Sequence, residues 1–334
     1  MSGPDRRARV TLAALVALVG ALLAGSLLLG PAAIAPGRAL RALVTGEDPA
    51  AALIMREIRL PRALLGLLIG AGLGTSGAAL QGYLRNPLAE PGLLGISGAA
   101  ALGAALALYS GIAAMVPMAL PAAALTGAAL ATLLVQGMAG AGGSSITLIL
   151  AGVAVSSLSG ALTSLVLNLS PNPFAASEIV YWLLGSLADR SVIHVFVAAP
   201  FILAGLALLL IVGRDLDALT LGEDAAASLG VTLGRTRTLV VLGSALAVGA
   251  GVAVAGAIGF VGLVVPHLLR PLVGAMPSRL LPASALGGAA LLLAADIAVR
   301  LIAPERDLKL GVVTALVGAP FFLWLVWRGR RRLA

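Results

Sequence analysis

From Pro91 to Ser177 the chain runs 87 residues without one charged side chain. Water-soluble domains carry about 25% charged residues, so a stretch of this kind belongs in lipid. A bilayer core about 30 Å thick takes about 20 apolar residues per helical crossing, and this stretch alone holds three crossings. Thr11 to Gly30 is a second charge-free run of 20 residues. The whole chain is 60% hydrophobic and 11% charged, with a mean hydropathy of +1.07. The apolar runs are continuous rather than alternating, which selects helices over a β-barrel. The expected fold is all-α: one polytopic membrane domain over residues 1–334.

Charge-free runs and their Gly, Pro and Arg punctuation place about ten helices, as lipid demands of a spanning chain. They lie near 10–30, 62–83, 92–109, 114–136, 145–168, 192–213, 236–256, 258–270, 280–301 and 310–328, the eighth being short. With both termini in the cytoplasm, Arg6, Arg7, Arg9, Arg85, Arg214, Arg235, Arg237, Arg270, Arg279, Arg328, Arg330, Arg331 and Arg332 fall inside. That leaves nine of 22 basic residues outside, many of them between Arg38 and Arg62, a modest positive-inside bias. The net charge of +8 is spread singly between apolar runs, apart from the terminal arginine cluster, and reads as membrane orientation rather than nucleic-acid binding. Arg6, Arg7 and Arg9 before an apolar run and Ala33-Ile34-Ala35 also fit a cleaved signal peptide, but the run is longer than a signal core and favours an anchor.

Gly66, Gly70 and Gly74 recur every fourth residue, a smooth ridge for close helix approach. Gly70-Ala71-Gly72 with Gly77-Ala78 matches Gly249-Ala250-Gly251 with Gly256-Ala257 at an offset of 179, and Pro87 falls on Pro266. In the expected topology these two helices run oppositely. The pattern predicts an inverted internal repeat, 62–168 against 236–328, with helix 192–213 and a cytoplasmic segment 214–235 between them.

Several chemistries have no residues to carry them. Lys309 is the one lysine, and no G-x-x-x-x-G-K-S/T run precedes it, so the phosphate loop of an ATPase is missing. His194 and His267 stand apart without metal-ligand spacing, there is no cysteine, and no metal site is expected. No G-x-S-x-G elbow appears. Asp296 is the one good candidate for an ion-coupling group, as an ion-coupled secondary carrier would need. Arg300 lies one turn on, and a local salt bridge satisfies both more simply.

Two segments carry the family signal. Gln81-Gly82-Tyr83-Leu84-Arg85-Asn86-Pro87-Leu88-Ala89-Glu90-Pro91-Gly92-Leu93-Leu94-Gly95-Ile96-Ser97 is a sharp connector with two prolines, a turn-forming Asn86 and a Gly95 that lets the next helix begin close to its neighbours. Gly256 to Arg270, containing Pro266 and His267, reads as a kinked short helix ending at the inner face. Both closely resemble the permease family of bacterial ABC importers for iron–siderophores, haem and vitamin B12. The likeness continues through Arg59-Leu60-Pro61-Arg62, Trp182 to Leu187 in an outer loop, Leu221 to Gly230, Ala295 to Arg300 and Gly311 to Phe322. The run Asp307-Leu308-Lys309-Leu310-Gly311 departs from the acidic-proline pattern frequent in that family.

The resemblance implies a homodimer bound to two cytoplasmic ATPase subunits and to one substrate-binding protein outside. ATP and magnesium would sit on the ATPase, and this chain would bind no cofactor. Leu221, Gly222, Glu223, Asp224, Ala225, Ala226, Ser228, Leu229 and Gly230 read as a short helix with an acidic first turn, the expected ATPase-coupling segment. Arg56, Arg59 and Arg62 lie three apart, on one face if their helix starts early. By resemblance, Arg56, Arg59 and Arg300 are the expected sockets for acidic residues of the binding protein. Ser156, Ser159, Thr163 and Asn168 are the expected wetting groups of the pathway, with Ser157 and Ser164 nearby. Gln81, Asn86, Pro87, Pro91, Gly95, Pro266, His267, Arg270 and Asp296 complete the motif residues.

Overall fold

The computed structural model describes residues 3–140, 145–303 and 308–330. Asp307, Arg331 and Arg332 lie outside the described residues. Everything regular within them is helical. In chain order the helices are α1 (Gly3–Leu28), α2 (Pro36–Val44), α3 (Pro49–Leu53), α4 (Leu60–Tyr83), α5 (Ile96–Tyr109), α6 (Ile112–Met115), α7 (Ala119–Ala139) and α8 (Ser145–Asn168). There follow α9 (Pro173–Leu183), α10 (Val192–Ile211), α11 (Gly213–Leu219), α12 (Glu223–Ser228), α13 (Leu233–Ala255), α14 (Val261–Val273), α15 (Pro277–Ile302) and α16 (Leu310–Arg330). A π-helical turn, Ile54–Arg59, fuses α3 to α4, and a 3₁₀ turn, Pro91–Leu94, precedes α5.

Among the described residues, seven helical stretches are long and apolar enough to cross a membrane, and α5, α14 and Leu310–Leu325 are shorter apolar helices. At 13 residues, α14 is about 20 Å long, less than the roughly 30 Å hydrocarbon core. The segment before it turns back on itself, with φ of 73° at Gly256 and 66° at Phe260. Non-helical backbone is tolerated at such a place when protein surrounds it. Here Gly256 packs against the backbone of Trp182 and Gly185.

The centre of the bundle is α4 and α13, whose apolar windows are each 78% buried while that of α1 is 11% buried. Gly66, Gly70 and Gly74 all face α15: Gly66 lies against Leu293, Gly70 against the Gly288–Ala289 backbone, and Gly74 against Ser284. Gly249, the offset mate of Gly70, faces Ala128 of α7. Where α4 meets α13 the contacts are nearly reciprocal, Gly72 against Ala247 and Gly251 against Ile69.

Two regions differ from the expectation. Trp182 and Leu183 close helix α9 instead of lying in a loop. The arginine-rich stretch 38–62 is also helical, because α2 buries Ala39 and Ala42 against Ala51 and Met55 to form a small core of its own.

Candidate functional site

One end of the bundle carries α12. Glycines bracket this helix, Gly222 at φ 108° and Gly230 at φ 90°, which allows a single six-residue turn to stand out from the bundle. Ala226 is its buried anchor, while Leu221 and Leu229 are 69% and 66% exposed, and Glu223, Asp224 and Ser228 are exposed with them. Two acids unnoticed in the sequence fix the base. Asp215 accepts from Thr236 Oγ1 of α13 at 2.9 Å, and Asp217 accepts from the Ser278 N–H at the start of α15 at 2.9 Å. The product is an acidic and apolar knob on a rigid foot.

Beside it lies the connector after α4. Gln81, 3% exposed, donates through Nε2 toward the carbonyls of Ala89 and Gly262, each at 3.3 Å, and its Oε1 accepts from Arg270 at 2.9 Å. It therefore ties α4, the connector and α14 together. Asn86 Oδ1 accepts from the Leu88 N–H at 2.9 Å, which sets the turn around Pro87. Gly95 has φ 74°, and Pro91 packs on Gly262. His267, one residue after Pro266 in α14, stands edge-on to Phe321 of α16 at 5.6 Å between ring centres. His194 caps the start of α10, accepting from the Ser191 N–H at 3.2 Å.

The opposite end gathers the arginines, and it does not place them on one face. The wider π-helical turn splays them. Arg56 donates to the carbonyls of Leu43 and Val44 at the end of α2, at 2.8 and 2.9 Å. Arg59, only 4% exposed, donates to Leu27, Leu28 and Ala32 at the end of α1. Arg62 turns to Asp296. Arg300, 8% exposed, donates to Ser26 and Leu29 carbonyls, both at 2.9 Å, and to Asp296 Oδ2 at 3.1 Å. In this structure, Arg59 and Arg300 are thus buried caps on helix carbonyls rather than exposed sockets, because guanidinium groups complete the unpaired C-terminal carbonyls of a helix. Arg41, on the outer face of α2, is exposed, as are Leu40 and Val44 on the same face. The expected local pair between Asp296 and Arg300 forms. Asp296 also reaches Arg62 of α4, so one carboxylate serves two helices and two arginines.

The α8 register also differs. Ser159 is buried, and it lines a cavity of about 490 Å³ between α5, α7 and α8 with Ala99, Gly103, Leu130 and Leu158. Ser156 is half-buried and donates to the Gly92 carbonyl at 3.3 Å, and Thr163 bonds back to Ser159 O at 2.8 Å. The outward face carries Ser157, Gly160, Ser164 and Asn168.

This arrangement matches known proteins over nearly its whole length. Residues 14–328 fit the FecCD transport family. The vitamin B12 import system permease protein BtuC of Vibrio vulnificus (strain CMCP6) is 39% identical over 97% of this chain and 96% of its own length. The hemin transport system permease protein HmuU of Yersinia pestis is 39% identical over 84% of each. A solved structure described as an inward-facing metal-chelate type ABC transporter superposes with a TM-score of 0.85 at 34% identity, covering 95% of this chain and 98% of that one. The chain belongs to the FecCD transport family of membrane permeases, in which ATP hydrolysis resides on a separate subunit.

Proposed function

We propose that this chain is one of two identical membrane-spanning halves of an inner-membrane ATP-driven importer for a bulky metal chelate or corrinoid. The observation that carries the reading is α12, an exposed acidic knob flanked by Leu221 and Leu229 and anchored through Asp215 and Asp217. An exposed apolar pair rimmed by charge suits a groove in a partner protein. The α12 end faces the cytoplasm together with both termini, and an ATPase subunit carrying ATP and magnesium docks there through Leu221, Asp224 and Leu229.

A substrate-binding protein docks at the opposite end. Arg59 and Arg300 are buried, so the half-buried Arg56, which also caps α2, and the exposed Arg41 take the docking role. The pathway runs between the two copies along the outward face of α8, where Ser157, Gly160, Ser164 and Asn168 offer small or polar groups without charge. A wide, weakly binding conduit of this kind releases a large cargo. The halves related by the offset of 179 form the inverted repeat about that route. Relatives named for vitamin B12 and hemin support the cargo class.

The test is co-purification. Leu221→Asp with Leu229→Asp in a tagged permease is expected to lose the co-expressed ATPase subunit while the permease itself stays monodisperse. Undiminished ATPase recovery would remove α12 as the docking element.

A further inference from the structure

The α4 helix ends in a Schellman arrangement: the Asn86 N–H donates to Gln81 O at 3.2 Å and the Arg85 N–H to Gly82 O at 3.4 Å. The left-handed position of this motif normally falls to glycine, because a Cβ is strained there. Here it is Arg85, at φ 49°. Backbone strain retained at a surface turn points to a duty for the side chain. That side chain reaches across to α12, where its guanidinium stands 3.6 Å from Glu223 Oε1, both groups about half exposed.

The two ends of this contact belong to different mechanical parts. Glu223 opens α12, whereas Arg85 opens the connector that leads through the 3₁₀ turn to α5. One turn back, Gln81 binds the same connector at Ala89 and reaches α14 through Gly262 and Arg270. An exposed ion pair contributes little to stability, so the pair's value lies in position.

We propose that Arg85 is a positioning residue that tethers α12 to the α4–α5 connector, so that a displacement of α12 by the nucleotide cycle moves the connector, Gln81 and α14 together. The inference rests on the reading of α12 as the ATPase-docking helix. Docking is assigned to Leu221, Asp224 and Leu229, and Glu223 is assigned to the half-exposed pair with Arg85.

The chain has no cysteine, so spin labels can be placed by Leu88→Cys and Ser228→Cys without background. In the full-length permease in lipid nanodiscs, the label distance is expected to be narrow with Arg85 present and broad in Arg85→Gly and Arg85→Glu. Combining Arg85→Glu with Glu223→Arg restores the narrow distribution. Arg85→Gly, freed of backbone strain, melts no lower than the wild type. In the complex with the ATPase subunit, ATP hydrolysis stimulated by the binding protein falls about two- to fivefold in the single variants, the factor an exposed pair can carry, and recovers in the swap.

The tether is overturned if Arg85→Gly keeps the narrow distance, if the swap restores nothing, or if Arg85→Gly melts lower, since Arg85 would then serve the turn itself. Should the wild-type complex show no stimulated hydrolysis, the docking reading falls while the label distances still decide the tether.

Discussion

Asp296 of α15 accepts from Arg62 Nε of α4 at 2.9 Å, which closes a bridge between residues 234 positions apart, and its second oxygen meets Arg300 at 3.1 Å. The carboxylate is 1% exposed, so it is the charge that keeps two arginines compatible with the interior. Removing one partner of such a buried set costs about 3–5 kcal/mol, because the remaining charges stay buried without compensation. Asp296→Ala is therefore expected to lower the thermal midpoint of the purified permease sharply. Arg62→Leu with Asp296→Leu lowers it less than Asp296→Ala alone. Equal midpoints for wild type and Asp296→Ala would show that the network has no structural weight.

The spanning helices were readable because lipid leaves the backbone few options: the run expected over 145–168 is the helix Ser145–Asn168. The glycine ridge was legible for a similar reason, since Gly70 and Gly74 have backbone within reach of any added Cβ. Partners remote in sequence were not legible. Nothing near Arg59 announces that the carbonyls of α1 will end beside it, and nothing in Ile54–Arg59 announces a π turn that sends three arginines to three helices. The hydroxyls of α8 show a different limit. Ser156, Ser159 and Thr163 have the same helical spacing as Ser157, Gly160 and Ser164, and only the packing of Ser156 on Gly92 and of Ser159 inside the α5–α7–α8 cavity decides which row faces out.

The outer arginines separate by burial into two classes with opposite readouts. Arg59→Ala strips the donors from Leu27, Leu28 and Ala32 and is expected to cost about 1–3 kcal/mol, the penalty for carbonyls left unsatisfied. Arg41→Glu, at an exposed position, is expected to leave stability within about 0.5 kcal/mol. It slows association with the binding protein and weakens its salt dependence, with dissociation little changed. Thermal unfolding and association kinetics at two salt concentrations check both. The division fails if Arg41→Glu unfolds early while Arg59→Ala does not.

Close approach of α4 to α15 depends on the missing side chain at Gly70. A Cβ there would stand 2.8 Å from Ala289 Cα and nearer still to the Gly288 carbonyl, with backbone on the other side that cannot rotate away. Gly70→Ala is expected to cost about 1–3 kcal/mol through overpacking. Gly160 on α8 has open space around its Cβ position, so Gly160→Ala is expected to be neutral or to stabilise by about 0.5–1 kcal/mol through the better helix former. Matching losses in the two variants would mean that the α4–α15 contact is looser than its geometry.

Glu90, in the connector after α4, gives stability a pH dependence of unusual sign. Burial lifts its carboxyl above the ordinary 4.5, and the hydrogen bond from the Phe260 N–H opposes that rise. Between 4.5 and the raised native value the folded chain holds a proton that the unfolded chain has already released. Stability therefore falls as pH rises through this window, and the penalty persists at neutral pH. Glu90→Gln keeps an oxygen acceptor for the Phe260 N–H and carries no charge. It should equal the wild type in acid, exceed it at neutral pH and flatten the slope between, as thermal midpoints measured across that range will report. A wild-type midpoint that climbs with pH through the window, unchanged by Glu90→Gln, would place the proton elsewhere.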